Sequence, residues 1–269
     1  MTTCDDTTRL RKPRRYRFFE VAHSQIQRPR LYHDLAYLWP LADPPEDYVF
    51  EASYWRDALR DKLGKGHHQI LELGVGGGHL LSHLVPEFRA TAVDISKQML
   101  ENACRLNPEV EHLEGDMRTV RLGKKFLAVL AHDAISYMLT ENDLKAAFVT
   151  AREHLNSGGI FITVPDWFRE TFRHTNVSHS TINEKGLEIT FIKYVCDPDP
   201  TDSTIETHFF FLIGEDGKIR MEHDRHVTGL FSIVDWQDWI SEAGFDVELV
   251  DYPVYEDEGP GWLLVCTAR

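Results

Sequence analysis

The clearest chemical signal in the chain is a run of glycines behind an acidic residue, in the stretch Glu72-Leu73-Gly74-Val75-Gly76-Gly77-Gly78. Glycines at the junction of a strand and a helix expose backbone N–H groups and let a ligand approach the chain closely, so a cofactor site is expected there. A nicotinamide dinucleotide would favour glycine at position 79, where this chain has His79. We therefore expect a cofactor other than a nicotinamide dinucleotide.

Two more acidic residues end the next apolar segments. Asp94 ends Ala90-Thr91-Ala92-Val93-Asp94, where a carboxylate can accept hydrogen bonds from both hydroxyls of a ribose. Asp116, in Gly115-Asp116-Met117, ends the following segment and can accept a hydrogen bond from the amino group of an adenine. Because the carboxyl ends of neighbouring parallel strands meet at one edge of a sheet, these groups converge on one adenosine-containing ligand.

The elements that must position these residues alternate between strands and helices. Apolar strands are predicted at residues 69–73, 90–94, 126–131 and 160–164, and helices at residues 46–63, 96–105 and 141–155. The turn Asn156-Ser157-Gly158-Gly159 closes the last of these helices. This alternation indicates a parallel sheet that is covered on both faces.

Beyond Pro165 the pattern becomes β-rich. Three strands are predicted at residues 187–195, 204–213 and 219–228, with Glu215-Asp216-Gly217 as a hairpin turn between the last two. We expect these strands to form an antiparallel insert that caps the sheet. A helix at residues 233–243 and strands at residues 245–250 and 262–266 follow.

The predicted fold is therefore α/β: a seven-stranded, doubly wound, mostly parallel Rossmann-like sheet with the antiparallel β insert as a cap. The predicted divisions are a basic N-terminal arm (1–30), an N-terminal helical lid (31–66), a cofactor-binding core (67–165), a β-rich substrate cap (166–230), and a C-terminal helix with a β-hairpin (231–269).

Composition and charge exclude several classes of protein. The 269 residues are 42% hydrophobic and contain no apolar run near the ~18 residues that a membrane span needs, so no membrane partner is expected. The first thirty residues hold eight basic and three acidic residues but no apolar core of a signal peptide, which predicts a solvated tail and no export. The remainder holds 21 basic and 40 acidic residues. Such an acidic body repels phosphate backbones, so no nucleic-acid partner is expected.

The cysteines give no sign of an oxidising compartment. Cys4, Cys104, Cys196 and Cys266 are widely separated and include no CxxC pair. Neither a disulfide framework nor a zinc knuckle is expected, and a cytoplasmic location is predicted.

Together, the acid before the loop, the GxGxG glycines, Asp94 and Gly115-Asp116 resemble the pattern of class I S-adenosylmethionine (SAM)-dependent methyltransferases. The resemblance covers residues 31–252 and implies SAM as cofactor, with S-adenosylhomocysteine (SAH) as product. It implies that Glu72 orients the methionine amino group. The implied cofactor contacts are Tyr37, Glu72, Gly74, Gly76, Gly78, Asp94, Ile95, Met99, Asp116, Met117 and His132.

Motifs outside the cofactor loop resemble small-molecule methyltransferases of secondary metabolism, especially the deoxyamino-sugar N-methyltransferases. These motifs are Tyr37, Asp47-Tyr48, Glu51, Ile135-Ser136-Tyr137, Val164-Pro165-Asp166-Trp167-Phe168 and His226-Val227-Thr228-Gly229-Leu230-Phe231. Two features depart from that pattern. Tyr137 stands where those enzymes tend to place a histidine near the amine, and the loop at residues 255–261 is acidic where a diphosphate sugar would favour basic groups. Both departures argue against a nucleotide-sugar acceptor.

Aromatic and basic side chains are the candidates for an acceptor pocket. Methyl transfer is an in-line displacement at a sulfonium, which needs alignment, a dry pocket and aromatic walls for cation–π contacts. The candidate substrate contacts are Tyr37, Trp39, Tyr137, Trp167, His208 and His226. The candidate catalytic groups are Tyr137, His132 and His226, because an amine must reach the methyl neutral and a hydroxyl needs a base. His223 and His226 would point to opposite faces of one strand, which makes a poor chelate, so no catalytic metal is expected.

N-methylation of a small amine is favoured over O-methylation, because an acidic body and aromatic walls suit a cationic guest better than a phosphate-bearing one. Tyr137 could instead orient a hydroxyl for O-methylation. Two alternatives stay open: a cyclase or lyase that consumes SAM itself and releases methylthioadenosine, and a SAM-binding module without turnover. The expected partner is the small-molecule substrate, and a homodimer is left open.

Overall fold

The N-terminal part of the described chain is a series of short helices. The computed structural model describes residues 29–173, 175–184, 187–253 and 261–269, so most of the predicted basic arm and of the acidic loop lies outside the described residues. The 3-10 helices span Arg30–Tyr32, Ala36–Leu38, Pro45–Tyr48 and Asp133–Tyr137. The α-helices are α1 (Trp39–Ala42), α2 (Val49–Leu63), α3 (His79–Ser82), α4 (Lys97–Leu106), α5 (Glu141–Glu153) and α6 (Ile233–Glu242).

The helix predicted at residues 46–63 begins differently in the structure. A 3-10 helix spans Pro45–Tyr48, and α2 follows it. Pro44 is extended, with ψ at 150°, because the ring of Pro45 disfavours the α conformation in the residue before it. The first helical turn is therefore 3-10, which is common at helix starts.

Five parallel strands form the centre of the main sheet. They are β1 (Gln69–Leu73), β2 (Arg89–Asp94), β3 (Glu111–Glu114), β4 (Phe126–Ala131) and β5 (Leu155–Thr163). The strands lie side by side in the order β3-β2-β1-β4-β5. In β1 and β4 almost every residue is buried, as expected for central parallel strands that are covered on both faces. After β3 the chain crosses to the other side of β1 to form β4, so the strand order reverses between β1 and β4. The carboxyl ends of these two strands therefore flank a crevice that can hold a ligand.

The β-rich insert is a separate antiparallel sheet of four strands. They are β6 (Asn176–Glu184), β7 (Leu187–Cys196), β8 (Thr204–Glu215) and β9 (Lys218–Gly229), paired in chain order. The predicted hairpin turn is present between β8 and β9, where Asp216 and Gly217 both have positive φ, as a two-residue type I′ turn requires. Strand β6 was not predicted, because its sequence Asn-Val-Ser-His-Ser-Thr-Ile-Asn-Glu is polar, as edge strands often are.

The chain then returns to the main sheet. After α6, strands β10 (Phe245–Asp251) and β11 (Trp262–Ala268) pair antiparallel, and β11 lies antiparallel beside β5. The sheet order is thus β10-β11-β5-β4-β1-β2-β3. This arrangement confirms the predicted seven-stranded, mostly parallel α/β fold with an antiparallel insert.

The N-terminal segment, residues 29–44, joins the insert to the main sheet. Leu31, Leu35 and Leu38 are fully or almost fully buried and pack with Phe211 and Ile213 of the insert in a cluster apart from the main core. The other side of the segment is bonded to α4, where the Asn102 amide donates to the carbonyl of Ala36 at 2.8 Å. Burial of these leucines, at about 1.5–3 kcal/mol each, holds the segment over the edge of the main sheet.

Two findings bear on location. Among the described residues, no helix is both long and apolar enough to cross a membrane. Cys104, Cys196 and Cys266 are free thiols in the structure.

Candidate active site

A cavity of about 360 Å³ lies at the carboxyl ends of β1, β2, β3 and β4. Its floor is formed by residues that follow these strands, and Tyr32, His33 and Trp39 of the N-terminal segment cover it. The cavity brings together nine of the predicted cofactor contacts: Glu72, Gly74, Gly76, Asp94, Ile95, Met99, Asp116, Met117 and His132. Trp39 and Tyr137, predicted as substrate contacts, also line it.

Asp94 organises the glycine loop from the neighbouring strand. One carboxylate oxygen accepts the N–H of Gly76 at 2.8 Å, and the other accepts the N–H of Ser96 at 2.7 Å. Gly74 has φ of +78°, and a Cβ there would lie 2.5 Å from the Cβ of Ala134. The loop therefore needs glycine at position 74, and Asp94 holds it open toward the cavity.

Gly78 has a different role from the one predicted. It is absent from the cavity lining, and a Cβ on it would lie 2.5 Å from the side-chain nitrogen of Asn107 and 3.2 Å from Ala103 of α4. Its φ is +77°. Gly78 thus allows α3 and α4 to pack closely rather than contacting a ligand.

Glu72 is a buried carboxyl group that faces the cavity without a partner. It is 2% exposed, and its Oε2 has no hydrogen-bond partner among the described residues. Burial raises the pKa of Glu72 to about 8, an effect that the nearby His132 opposes. A buried, unpaired acceptor is costly, and a ligand ammonium group would satisfy it. This orphaned oxygen fits the methionine end of SAM.

Asp116 is already paired with a neighbouring arginine. Its two oxygens accept from the guanidinium of Arg118 at 2.6 to 3.1 Å, and Arg118 also donates to Asp143 at 2.8 Å. This ion pair lowers the pKa of Asp116. Both Asp116 and Arg118 line the cavity, so an adenine there would meet a carboxylate held by a cation.

His132 lines the cavity and is hydrogen-bonded to a buried network of acids. Its Nε2 is 2.7 Å from Glu51 Oε1, and its Nδ1 is 3.1 Å from Asp133 Oδ1. Glu51 also accepts from the hydroxyl of Tyr252, which in turn accepts from Trp55 Nε1 at 2.9 Å. Burial alone would lower the pKa of His132, but Asp133 and Glu51 raise it well above its ordinary value. Each ring nitrogen faces a carboxylate oxygen, which favours the imidazolium and leaves neither nitrogen free to act as a base.

We expect Glu51→Ala to lower the free energy of unfolding by about 3–5 kcal/mol, because it leaves the buried His132 cation with one fewer carboxylate. Folding raises the pKa of His132. The stabilisation by the pair is therefore fully present at pH values below the pKa of His132 in the unfolded chain, and it is lost as the pH rises through the pKa of His132 in the folded protein. Urea unfolding near neutral pH measures the change. Asp57→Ala, on the same helix but 78% exposed, is the control, and equal small effects of both variants would contradict the expectation.

Tyr137 is the centre of a second network that reaches the cavity. Its hydroxyl lies 2.8 Å from the hydroxyl of Tyr32 and 2.5 Å from Nδ1 of His226. His226 is 1% exposed, and its Nε2 lies 2.7 Å from Asp224 Oδ2. Tyr32 and Tyr137 line the cavity, whereas His226 and Asp224 do not. Two of the three predicted catalytic residues, Tyr137 and His226, thus meet across 89 residues of chain.

Negative charge surrounds the Tyr137 hydroxyl. Burial raises its pKa well above the ordinary value, and the neighbouring Tyr32 and the carboxylates of Asp166 and Asp133 add to the effect. Burial and Asp133 likewise raise the pKa of Asp166, which Lys193 opposes. Such a field favours a cation bound beside Tyr137.

Three residues predicted to contact a ligand lie elsewhere. Tyr37 is 50% exposed, and its hydroxyl accepts from Arg220 at 2.5 Å on the surface. Trp167 packs edge-on against Phe172, with ring centroids 5.5 Å apart. His208 stacks on His223 on the opposite face of the insert from His226. None of the three lines the cavity. Among the described residues of the four insert strands, His226 is the one that is hydrogen-bonded to a residue lining the cavity, from behind Tyr137.

Several residues of the site were not among the predicted site residues, including Tyr32, Glu51, Arg118 and Asp224. Tyr32 stood in a long aromatic stretch with nothing to distinguish it. Asp224 carried a usable signal, since residues two apart in a strand share a face, and an acid two residues before a histidine can hold its ring.

The arrangement combines two kinds of chemistry in one cavity. One end presents an unpaired carboxyl group, a glycine loop and a ribose-binding acid, which together fit an adenosine linked to an ammonium group. The other end presents a tyrosine hydroxyl backed by a histidine and an aspartate. The second end can accept a proton from a bound group and pass it inward.

Comparison with known proteins agrees with this geometry. Residues 70–159 match a family model described as a methyltransferase domain. The chain is 30% identical over 236 residues to the dTDP-3-amino-3,4,6-trideoxy-alpha-D-glucopyranose N,N-dimethyltransferase of Streptomyces venezuelae. That match covers 87% of this chain and 94% of the relative.

Solved structures show the same likeness. Streptomyces venezuelae DesVI superposes with a TM-score of 0.74 at 28% identity, covering 88% of this chain and 97% of that one. The sugar N-methyltransferase KedS8 from Streptoalloteichus sp shares the fold, with a TM-score of 0.75 at 22% identity over 94% of this chain and 99% of that one.

Proposed function

The chain belongs to the class I SAM-dependent methyltransferases of small molecules and N-methylates its acceptor, and from this premise we propose that the acceptor is the amino group of a deoxy sugar. Three relatives are named for dTDP-linked amino deoxy sugars. The observation that carries the proposal is Tyr137, which lines the cavity and whose hydroxyl lies 2.5 Å from Nδ1 of His226. An amine bound beside this hydroxyl can pass its proton through Tyr137 to His226.

We propose that the cavity holds SAM through residues of the first three strand ends. Glu72 would accept the methionine ammonium at its unpaired Oε2, and Asp94 would accept the ribose hydroxyls. Asp116, held by Arg118, would accept the adenine amino group. Apolar contacts to the adenosine would come from Ile95, Met99 and Met117 of the lining. Tyr37 and Gly78 have no part in this proposal.

When bound, SAM supplies an electrophilic methyl group: the acceptor N–C bond forms as the S–C bond breaks, and the sulfur keeps the electron pair as the thioether of SAH. The acceptor nitrogen needs a free lone pair, so the residues around it must take its proton. We assign that step to the Tyr137 hydroxyl, with His226 as the base behind it. Tyr32 and Trp39 would exclude water from the same space.

The relatives favour methyl transfer over the alternatives. Those named for a reaction are N,N-dimethyltransferases, which supports neither a SAM-consuming cyclase or lyase nor a binding module without turnover. Their names also suggest two successive methylations of one nitrogen. We include the second methylation in the proposal, because Tyr137 meets the monomethylated amine in the same position.

The pKa of Glu72 makes SAH binding sensitive to pH. Near neutral pH the free carboxyl holds a proton, because its pKa is about 8. A bound ammonium group favours the carboxylate, so binding must expel that proton, and affinity should rise with pH up to about 8. Titration calorimetry with SAH in phosphate and in Tris near neutral pH should show release of about one proton. Glu72→Gln is the control and should release none. Equal binding enthalpies of the wild type in both buffers would contradict the assignment.

Matched acceptors test the substrate proposal. The wild-type protein and SAM are given the dTDP-linked 3-amino sugar named for the Streptomyces venezuelae relative, its 3-hydroxy counterpart, and the same amino sugar as a methyl glycoside. We expect SAH to form with the dTDP-linked amine and not with the hydroxy compound. Turnover of the glycoside at a similar kcat/KM would mean that the nucleotide is not recognised, as the acidic loop suggested. Turnover of neither amine would refute the amino-sugar proposal.

The quaternary structure and location are further parts of the proposal. One face of the insert exposes Val177, Tyr194, Leu212 and Met221, which is unusual for a free surface. Glu206 on that face is paired with Arg225, so a second copy could cover it without a lone carboxylate at the contact. We propose a homodimer through this face, and light scattering measures its mass in solution. We also propose a location in the cytoplasm, where free thiols persist.

A further inference from the structure

Asp224 ties the histidine behind Tyr137 to the N-terminal segment. The same carboxylate oxygen, Oδ2, lies 2.7 Å from Nε2 of His226 and accepts the backbone N–H of Leu31 at 2.7 Å. Asp224 is 5% exposed and lies outside the cavity lining. One buried oxygen therefore joins the insert, which carries His226, to the segment that carries Tyr32.

The network has a fixed direction. An ionised carboxylate can only accept hydrogen bonds, so Nε2 of His226 must carry a proton to bond Asp224. In the neutral ring Nδ1 is then the acceptor, and the Tyr137 hydroxyl, 2.5 Å away, donates to it. The Tyr137 oxygen accepts in turn from Tyr32 at 2.8 Å. Tyr32 donates to Tyr137, and Tyr137 donates to His226. When the Tyr137 oxygen takes a proton from a ligand, Nδ1 of His226 can therefore accept the proton that Tyr137 gives up.

The surroundings of His226 leave this role to Asp224 alone. The ring packs edge-on against Phe209 of β8, with centroids 4.6 Å apart, and against Tyr32 and Tyr137. Asp224 is the one carboxylate bonded to it within the described part of the chain. Asp133 and Asp166 act on the Tyr137 hydroxyl instead. At 1% exposure the ring has no surface where bulk water could replace Asp224.

We infer that Asp224 is a positioning residue for amine deprotonation: it holds His226 with its proton on Nε2, so that Nδ1 can take a proton from Tyr137. The inference rests on the proposed N-methylation of an amine. An acceptor ammonium gives a proton to the Tyr137 oxygen as the Tyr137 proton moves to Nδ1. The amine gains its lone pair, and the new imidazolium lies against the Asp224 carboxylate. After methyl transfer the proton returns through Tyr137 to water as the product leaves.

The bond to Leu31 adds a condition to this step. Tyr32 follows Leu31 and covers the cavity, so the oxygen that fixes His226 also fixes the segment that closes the site. The histidine is therefore held in its active tautomer when the N-terminal segment is docked.

The tautomer is measured first, without any acceptor. Imidazole ¹⁵N NMR of the full chain should show His226 with a proton on Nε2 and a free Nδ1. In Asp224→Ala no oxygen accepts from Nε2, so the proton is no longer held there and a ring protonated on Nδ1 should appear. Because Oδ2 also accepts from Leu31, this variant breaks that bond as well. Glu222→Gln is the matched control, because Glu222 also ties the segment to the insert, through Arg30 at 3.0 Å, without touching His226. A wild-type ring protonated on Nδ1 overturns the inference.

Activity is measured next, with the dTDP-linked amino sugar as probe. Near neutral pH, Asp224→Ala should lower kcat about 100-fold or more, with SAM affinity and KM changed less than about threefold. At alkaline pH, where the amine is already neutral in solution, the loss should shrink to less than about tenfold. An equal loss at every pH, or an equal loss in Glu222→Gln, would mean a merely structural role and overturn the inference. If the wild type does not methylate the probe, the substrate proposal fails, while the tautomer result still decides the role of Asp224.

Discussion

Asp94→Ala is expected to weaken SAM binding by about 2–4 kcal/mol, or roughly 30- to 1000-fold in Kd. The substitution removes the proposed acceptor for two ribose hydroxyls. It also leaves the N–H groups of Gly76 and Ser96 without the oxygens that bond them at 2.8 and 2.7 Å. Both losses act on the cofactor site, because the Asp94 carboxylate that would bind the ribose also holds the glycine loop through its hydrogen bond to Gly76.

Calorimetry with SAH measures this effect, since the product makes the same proposed contacts to ribose. Glu114→Ala is the matched control, because Glu114 pairs with Asp94 in the strand register and lies outside the cavity. Asp94→Asn, which keeps one acceptor oxygen, should fall between the wild type and the alanine variant. An unchanged Kd in Asp94→Ala would remove the basis for placing the adenosine at β2.

Tyr137→Phe is expected to lower kcat/KM for the amino sugar about 100- to 1000-fold near neutral pH, while SAH affinity stays within about twofold. The phenyl ring keeps the wall of the cavity but cannot pass a proton to His226, whose Nδ1 lies 2.5 Å from the hydroxyl. The loss should shrink at alkaline pH, where the acceptor arrives neutral.

Steady-state kinetics across pH measure the loss, with Tyr54→Phe as control, since that ring packs on Tyr252 away from the cavity. Tyr137→Phe combined with Asp224→Ala should cost little more than either change alone, because both residues serve one proton transfer. Full activity in Tyr137→Phe would make this tyrosine a packing residue. Additive losses in the double variant would separate it from Asp224.

The core of the fold was predictable because its signals are local. Apolar strands that end in a glycine loop or an acid mark the carboxyl edge of a parallel sheet, and Glu72 and Asp94 lie at that edge as expected. The two-residue turn at Asp216 and Gly217 was equally local. Strand β6 was not predicted, because a polar edge strand lacks the alternation of apolar and polar residues that identifies a half-buried strand.

The part of the site around Tyr137 was predicted only in part, because it depends on contacts distant in sequence. Tyr137 and His226 were each candidates, but no pattern showed that they meet. Tyr37, an aromatic residue of the same segment as Tyr32, turned outward because Leu35 and Leu38 beside it fill the space against the insert. The periodicity of a series of short 3-10 helices is too weak to show which aromatic side chain faces the cavity.

The most direct test of the central claim is the position of the transferred methyl group. The wild-type protein is incubated with ¹³C-methyl SAM and the dTDP-linked 3-amino sugar, and the products are examined by NMR and mass spectrometry. We predict one and then two labelled methyl groups on the sugar nitrogen, with SAH formed only when the acceptor is present. Labelled methyl on a sugar oxygen, or methylthioadenosine released from SAM without any acceptor, would contradict N-methylation by this chain.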